Sequence, residues 1–305
     1  MPLRFHKVRM TDLNVYLSIR ESLLNFLRED IGTGDLTSNS IIQSDTYARA
    51  EIICKANKPA VVCGLEEASI IFEICKCKSK TIIRDGSLVK KGSRVLEIVG
   101  NALSILKAER TALNLIMRMS GIATETKKFR SLLDESSASV RIASTRKTAP
   151  GLRFFDKKAV AMGGGETHRM RLDDMVLIKD NHISIVGSVE KAIGHARKKV
   201  GKSIKLECEA TNLEEAIAAV NAGADSVMLD NFSPTAVART VDELSRRGIR
   251  HKAKLEVSGG IRLRNIRSYA EAKPDIISIG YLTHSPKAAD FSLEVIETKN
   301  IEISH

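Results

Sequence analysis

The stretch that decides the fold is IKLECEATNLEEAIAAVNAGADSVMLDN, residues 204–231. It contains an apolar run at 204–210, a helical stretch at 212–223 and a second apolar run at 225–230. The helical stretch begins with an asparagine and ends with a glycine, which are common helix-capping residues. Two strands joined by one helix predict a right-handed βαβ unit with parallel strands.

The same alternation of apolar runs and helical stretches extends from residue 139 to residue 280. It predicts an α/β fold with a barrel of parallel strands, and the count of six favours an incomplete barrel over the eight-stranded form. A doubly wound open sheet is the structural alternative, although no GxGxxG motif follows a first strand. The six runs are SVRIAST (139–145), DMVLIK (174–179), IKLECEA (204–210), DSVMLD (225–230), AKLEVS (253–258) and DIISIG (275–280).

The first 115 residues have a different pattern, which predicts a separate N-terminal domain. Strand-like pieces at 48–65 and 80–100 are broken by Gly, Asn and Pro turns, and a helix is expected at 65–75. A Gly and Asp cluster at 29–38 is interpreted as a loop. The helical period of 104–133 predicts a long helix between an N-terminal domain (1–115) and a barrel domain (116–287).

The composition narrows the class of protein. The net charge is +11, from 48 basic and 37 acidic residues, which suits anionic partners. There is no Trp and no long Lys/Arg run, so we expect small anionic substrates and no nucleic acid. No segment is apolar enough to span a membrane, and the N-terminal residues 1–24 resemble an amphipathic helix, so we expect a cytoplasmic protein. The odd count of five cysteines argues against a disulfide framework.

Polar or glycine residues follow all six apolar runs. The carboxyl ends of parallel strands share one face of an α/β fold, and that face carries the active site. Any one such residue is ordinary in a loop, but six in succession favour a functional site. The residues are Arg146, Lys147, Lys179, Glu209, Asp230, Ser258, Gly259, Gly260, Gly280 and His284.

The chemistry of these residues indicates three kinds of ligand group. A cationic pocket suited to several carboxylates would be formed by Arg146, Lys147, His168, Arg169 and Lys179. Glu209 and Asp230 are natural ligands for sugar hydroxyls or Mg²⁺. The glycines at 259, 260 and 280 allow close approach of a phosphate. Glu207 alternates with Glu209, so both could face the barrel interior, or one could merely be paired.

Taken in order along the chain, these motifs resemble the quinolinate phosphoribosyltransferase family over nearly the whole sequence. The fragments that carry the resemblance are EDIGTGDLTS, LKAERTALNLIMRMSGIAT, STRKTAPGLR, GGGETHR, DMVLIKDNHI, MLDNFSP, SGGI and GYLTHS. The resemblance implies an N-terminal α/β sandwich domain joined to an open, seven-stranded α/β barrel. It also implies that the C-terminal tail, 288–305, returns to the N-terminal domain as an added strand.

The resemblance further implies the reaction and the residues that serve it. Quinolinate and phosphoribosyl pyrophosphate would give nicotinate mononucleotide, pyrophosphate and CO₂, with Mg²⁺ held by Glu209 and Asp230. Lys147 would share the catalytic role with these two carboxylates. Arg110 would reach the pocket from a neighbouring subunit of a homodimer, or of a hexamer of dimers, with shared active sites. By motif match, the quinolinate carboxylates would bind Arg146, Lys147, His168, Arg169 and Lys179, and the phosphate side would be lined by Ser258, Gly259, Gly260, Gly280 and His284.

Two residues depart from the family pattern. Ser144 stands where Asp is common, which could change the orientation of its neighbours, and Cys208 replaces a small aliphatic residue. Arg171 and His182 lie among the motifs without an assigned role and are interpreted as structural. The alternatives within the fold are a paralogue associated with molybdate transport and a nicotinate-type phosphoribosyltransferase. A nucleic-acid-binding protein is the alternative from another class.

Overall fold

The computed structural model describes residues 13–133, 137 and 139–300. The elements of the first part are α1 (Leu13–Ile31), α2 (Leu36–Ile41), β1 (Thr46–Cys54), β2 (Ala60–Val61), α3 (Leu65–Ile74), β3 (Lys78–Thr81), β4 (Leu88–Val89), β5 (Arg94–Asn101) and α4 (Ala102–Ser131). Those of the second part are β6 (Arg141–Ala143), α5 (Arg153–Met162), β7 (Val176–Ile178), α6 (Asp180–Val186), α7 (Val189–Val200), β8 (Leu206–Ala210), α8 (Leu213–Asn221), β9 (Ser226–Asp230), α9 (Pro234–Arg246), β10 (Lys254–Ser258), α10 (Ile266–Glu271), β11 (Ile276–Ser278), α11 (Tyr281–His284) and β12 (Phe291–Asn300). Among these described helices, none combines the length and apolar character that crossing a membrane requires.

The described chain divides into two compact units. One contains residues 13–125, 150–163 and 286–300, and the other contains the described residues within 126–149 and 164–285. The first unit therefore includes α5, although α5 lies between two barrel strands in the sequence. The domain limits predicted from the sequence, 1–115 and 116–287 with the tail 288–305, stay a prediction.

The first unit is built on a four-stranded antiparallel sheet in the order β12-β1-β5-β3. The inward side chains of β1, among them Ala50 and Ile52, are fully buried, as an alternating strand with one covered face requires. The strand predicted from the alternating tail is present as β12, and residues 301–305 lie outside the described ranges. The loop predicted at 29–38 is shorter, because α1 continues to Ile31 and Asp35 caps α2.

A buried ionic cluster ties α5 to α3 within the first unit. The ammonium of Lys158 lies 2.6 Å from Glu66 Oε2 and 2.8 Å from Glu67 Oε1, and Asp85 Oδ2 is 3.9 Å away. Burial opposes the Lys158 charge, but these carboxylates outweigh it and raise the pKa of the ammonium. Burial also raises the pKa of Asp85 to about 6. The buried lysine therefore holds the two helices together through charge that a lone lysine could not retain.

The second unit contains a parallel sheet of six strands in the order β6-β11-β10-β9-β8-β7. All six strands predicted from the apolar runs are present. The first strand, β6, pairs with the last, β11, which is the arrangement of a barrel; a doubly wound sheet places its first strand in the middle. Where the resemblance implies seven strands, the described residues have six and a single parallel bridge between Ala143 and Glu166 at the β6 edge.

The interior of this sheet is polar at its centre. Two glutamates point inward, Glu207 from β8 and Glu256 from β10, and at most 1% of either residue is exposed. Ser226 Oγ donates to Glu207 Oε1 at 3.1 Å, and Ser278 Oγ donates to Glu256 Oε1 at 2.5 Å. Buried carboxylates without donors would destabilise the fold by several kcal/mol, on the order given for uncompensated buried charge. The serines on the neighbouring strands therefore permit charge in the barrel interior.

Two glycines in the middle of helices provide a matched test of the packing. A Cβ on Gly121 of α4 would overlap the carbonyl oxygen of Lys287, whereas a Cβ on Gly194 of α7 meets no atom within 4 Å. We expect Gly194→Ala to raise Tm, because alanine is favoured over glycine in a helix by about 1 kcal/mol. We expect Gly121→Ala to lower Tm, because overpacking costs roughly 1–3 kcal/mol or more. Thermal denaturation followed by circular dichroism measures both, and a higher Tm for Gly121→Ala would contradict the tight contact.

Candidate active site

The parallel strands bring the predicted site residues to one edge of the sheet. Glu209 lies in β8, Asp230 ends β9, and Ser258 ends β10 next to it, since Ser258 and Asp230 are register partners. Lys179 follows β7 directly, and the pair Arg146-Lys147 follows β6. The common edge is thus a consequence of parallel pairing and needs no long loop to assemble it.

Two arginines at this edge, Arg146 and Arg169, influence each other's charge. Arg169 is buried, with 7% of its surface exposed, and its Nη1 donates to the carbonyl oxygen of Met175 at 3.4 Å. Burial and the neighbouring charge of Arg146 lower the pKa of Arg169, against the pull of Glu207 and Glu209. Two cations held near each other favour an anion between them, because the anion would offset their repulsion.

Lys147 and His284 converge on Gly280. A Cβ on Gly280 would lie 3.2 Å from Lys147 Cδ and 3.3 Å from His284 Cδ2. Thr283 Oγ1 donates to the carbonyl oxygen of Lys147 at 2.8 Å, which fixes the β6 loop against α11. The glycine at 280 is therefore the position at which a cation from the first strand and a histidine after the last strand meet.

Lys179 is paired with Glu209. Its ammonium contacts Glu209 Oε1, and 44% of the lysine side chain is exposed. The Lys179 backbone N–H donates to His182 Nδ1 at 2.9 Å, so His182 fixes the start of α6. This contact agrees with the structural interpretation of His182. Arg171, with 72% of its side chain exposed, pairs with Asp173 at 3.0 Å.

His168 lies over the buried glutamates of the barrel interior. Its Nε2 is 3.0 Å from Glu207 Oε2 and 3.5 Å from Glu256 Oε2. Burial opposes the imidazolium, but the two carboxylates outweigh it and raise the pKa of His168 to about 10. Burial and the charge of Glu256 raise the pKa of Glu207. For Glu256 itself, burial is outweighed by hydrogen bonding to His168, so its pKa is lowered.

Sequence reasoning missed Glu256 and left Glu207 open. The available signal was a glutamate in the middle of an apolar run, at Glu207 of LECEA and at Glu256 of KLEVS. Such a glutamate could equally face outward to a lysine, because register between strands is not visible in one sequence. The shared partner, His168, comes from a loop whose course the sequence does not specify.

The turn after β10 packs against the turn after β9. Asn231 N–H donates to the carbonyl oxygen of Ser258 at 2.8 Å, and the Asn231 amide donates to Asp230 Oδ2 at 2.8 Å. Gly259 has φ +99° and Gly260 has φ +63°. A Cβ on Gly259 would overlap the Asn231 side chain and lie 2.9 Å from its backbone nitrogen. Gly259 therefore permits the close approach that places Asp230 at this edge.

Ser144 replaces the common aspartate with a hydrogen-bond donor. Its Oγ donates to the carbonyl oxygen of Thr167 at 3.1 Å, and its backbone N–H donates to the backbone carbonyl oxygen of Glu166 at 2.9 Å. The serine is fully buried. It therefore holds the loop immediately before His168 by donating to a carbonyl, which an ionised aspartate cannot do.

Arg110 lies in the other unit of the chain. It is on α4, with 58% of its side chain exposed, and its Nη2 is 4.0 Å from Glu109 Oε1. An exposed arginine with one weak ion pair contributes little to stability. Its role in ligand binding stays a prediction.

Models of one protein family match most of the chain. The model of the quinolinate phosphoribosyl transferase C-terminal domain matches residues 122–294, and that of the N-terminal domain matches residues 35–120. Among curated proteins, a probable nicotinate-nucleotide pyrophosphorylase (carboxylating) of Methanothermobacter thermautotrophicus is 45% identical over 275 residues, covering 88% of this chain and 96% of that protein. The nicotinate-nucleotide pyrophosphorylase (carboxylating) of Rattus norvegicus is 36% identical over 258 residues. That match covers 85% of this chain and 86% of the rat protein.

A solved structure has the same fold over nearly its full length. The structure of the nicotinate-nucleotide pyrophosphorylase from Francisella tularensis superposes with a TM-score of 0.83 at 38% sequence identity. The match covers 91% of this chain and 96% of that one. The chain therefore shares the fold of that solved protein.

Replacing the two glycines after β10 should have unequal effects. We expect Gly259→Ala to lower Tm more than Gly260→Ala, because only the first substitution places a Cβ against Asn231. Gly260→Ala adds strain of about 1–2 kcal/mol from the left-handed backbone alone. Thermal denaturation of the two variants measures the difference, and equal Tm values would show that the Asn231 contact is not restrictive.

Proposed function

Because the chain belongs to the quinolinate phosphoribosyltransferase family, we propose that it transfers phosphoribose to quinolinate with decarboxylation. The donor is 5-phosphoribosyl 1-pyrophosphate, and the products are nicotinate mononucleotide, pyrophosphate and CO₂. The observation that carries the proposal is the gathering of cations, carboxylates and glycines at one edge of the parallel sheet. These three groups complement a dicarboxylate acceptor, a ribose and a phosphate.

The acceptor carboxylates bind the cationic side of the site. The residues assigned to them are Arg146, Lys147, His168, Arg169 and Lys179. The burial of Arg169 near Arg146 supports this assignment, since two such cations are stabilised by a bound dianion. Lys179 can leave its partner Glu209 for a ligand carboxylate, because its side chain is half exposed. Two carboxylates on one ring match several separated cations better than a monoanion does.

The donor binds on the carboxylate and glycine side. Glu209 and Asp230 face the ribose, and the phosphate side is lined by Ser258, Gly259, Gly260, Gly280 and His284. The left-handed backbone at Gly259 and Gly260 supports the phosphate assignment, since it permits backbone N–H groups to approach an anion. Glu209 and Asp230 also offer the oxygen ligands that a hard cation requires, and they would hold Mg²⁺. When bound, Mg²⁺ neutralises charge on the departing pyrophosphate.

The chemistry requires positioning and charge compensation and no nucleophilic side chain. The pyridine nitrogen attacks the anomeric carbon, the C–N bond forms, and the C–O bond breaks with its electron pair on pyrophosphate. Asp230 and Glu209 stabilise the positive charge that develops on the ribose, and Lys147 compensates the anions. The carboxylate beside the ring nitrogen then leaves as CO₂. Its bonding electrons are stabilised by the positive ring nitrogen until a proton from solvent replaces the carboxylate.

Active sites shared between the subunits of a homodimer, or of a hexamer of dimers, complete the proposal. Arg110 supplies a further cation to the acceptor pocket of a neighbouring subunit. The exposure of Arg110 and its weak contact with Glu109 support this role, because the guanidinium remains available to a partner. An arginine is suited to the task, since it binds a carboxylate through two parallel hydrogen bonds.

Acceptor choice is tested by direct assay. The protein is incubated with 5-phosphoribosyl 1-pyrophosphate and either quinolinate or nicotinate, with Mg²⁺ or with EDTA. We expect nicotinate mononucleotide and stoichiometric CO₂ from quinolinate, only with Mg²⁺, because the nicotinate monoanion leaves part of the cationic pocket uncompensated. Turnover of nicotinate and not quinolinate would refute the proposed acceptor. Equal turnover in EDTA would refute the metal assignment alone.

Shared active sites are tested by mixing inactive subunits. Chains with Arg110→Ala and chains with Arg169→Ala are each expected to be inactive, and mixed dimers regain one complete site in two. Random mixing should therefore restore about a quarter of wild-type activity, the value for a symmetric dimer with two equivalent sites.

The matched control for this mixture combines Arg146→Ala with Arg169→Ala. Both residues lie on the same unit of one chain, so no mixed dimer has a complete site. Activity that stays absent in both mixtures, once mixed dimers are demonstrated by mass spectrometry, would contradict the cross-subunit role of Arg110.

A further inference from the structure

The contacts of His168 raise a question that the proposed ligand role leaves open, which is the protonation state of its ring. Nε2 faces Glu207 Oε2 at 3.0 Å and Glu256 Oε2 at 3.5 Å. A carboxylate accepts hydrogen bonds and does not donate them when ionised, so Nε2 carries a proton. Nδ1 then carries a second proton only when the ring is an imidazolium.

That second proton decides how His168 meets an anion. Nδ1 makes no hydrogen bond within the described part of the chain, so it is the ring nitrogen left for a ligand. In an imidazolium it donates to a carboxylate oxygen, with the added strength of a charged hydrogen bond. In a neutral ring it presents a lone pair, which repels the same oxygen.

From this geometry we infer that Glu207 and Glu256 are positioning residues that keep His168 an imidazolium, with Nδ1–H directed to an acceptor carboxylate. The inference rests on the proposed function, since it assigns the two glutamates to the binding of that acceptor. Neither glutamate contacts the ligand, and both act through the histidine. Glu207 makes the shorter contact with the ring, at 3.0 Å, and Glu256 places a second carboxylate 3.5 Å from the same nitrogen.

The surroundings of the three groups support this role. The charged groups that face the ring are Glu207 from β8 and Glu256 from β10, and the neighbouring strands β9 and β11 contribute the neutral donors Ser226 and Ser278. These hydroxyls bind the carboxylate oxygens that face away from the ring and so orient the other oxygens toward Nε2. The ring is also held from its own loop, since Ser144 donates to Thr167 next to it. The backbone of His168 is left-handed, with φ +52°.

The ionic state of His168 is measurable without any substrate. In protein labelled with ¹⁵N, the His168 ring is assigned by the loss of its signals in His168→Asn. We expect both ring nitrogens to remain protonated from pH 6 to pH 9, consistent with the pKa of about 10 that the carboxylates give the ring. A neutral ring at pH 7.5 would overturn the inference, and so would a metal ion on Nε2, detected as a ring signal that changes with EDTA.

The consequence for binding is tested with Glu256→Gln, which keeps the size of the side chain. Losing one carboxylate lowers the pKa of His168, so Nδ1 loses its proton as the pH rises. We expect the KM for quinolinate at pH 9 to rise about 10- to 100-fold, the effect of a lost hydrogen bond to a charged group. At pH 6 the increase should be much smaller, and kcat should change little, because the loss affects binding of the acceptor.

Glu166→Gln is the matched control. Glu166 lies two residues before His168 and pairs with Arg141 at 2.9 Å on the surface, so this variant should keep the wild-type KM at every pH. A KM that rises equally at pH 6 and pH 9 in Glu256→Gln would indicate a packing defect and overturn the inference. Should wild-type protein not use quinolinate at all, the proposed function fails, while the ring measurement still decides the charge of His168.

Discussion

Ionisable side chains that are buried in the second unit need partners within that unit, and this constraint determines how the site is built. Each buried carboxylate of the barrel interior has donors on neighbouring strands, and the histidine above lies between the two carboxylates. Arg169 is influenced by charge of both signs, since Arg146 lowers its pKa while Glu207 and Glu209 raise it. A bound anion would offset the repulsion between Arg146 and Arg169. Binding and fold stability are therefore linked at the same residues.

The first unit also contains buried ionisable side chains, and their ion pairs attach the helix α5. The buried Lys158 on α5 pairs with the buried Glu67 and with the exposed Glu66, and Asp85 lies 3.9 Å away. A second ion pair, between Arg118 Nε and Asp156 Oδ1 at 2.7 Å, ties α5 to α4. Both pairs attach a segment that is distant in sequence. Here buried charge joins α5 to α3 and to α4.

Much of the barrel could be predicted from the sequence, because its strands are short apolar runs bounded by turn residues. All six were placed within three residues of their observed limits. Helices α5 and α6 were missed for physical reasons. In α5 the buried Lys157 and Lys158 look like surface residues, since lysine is normally exposed. In α6 the seven-residue DNHISIV is too short to show a helical period.

The candidate site was predictable as a set of residues but not as a set of contacts. Parallel strands place Arg146, Lys179 and Asp230 at one edge, and that follows from topology alone. The pairing of Lys179 with Glu209 and of His168 with Glu256 depends on register and on loop geometry, which one sequence does not determine. The serine at position 144 could be read from the sequence, but its hydrogen bond to the carbonyl oxygen of Thr167 could not.

The antiparallel pairing of β1 with β12 has a consequence for synthesis of the chain. Nine residues of β1 pair with the strand that begins at Phe291, so the sheet of the first unit joins an early segment to one of the last. The N-terminal residues leave the ribosome first, and N-terminal domains normally fold before the domains that follow them. In this protein the barrel residues emerge before the N-terminal sheet can be completed. The first unit is therefore the last to complete its folding. Without β12, which begins at Phe291, β1 would be an exposed edge strand prone to aggregation.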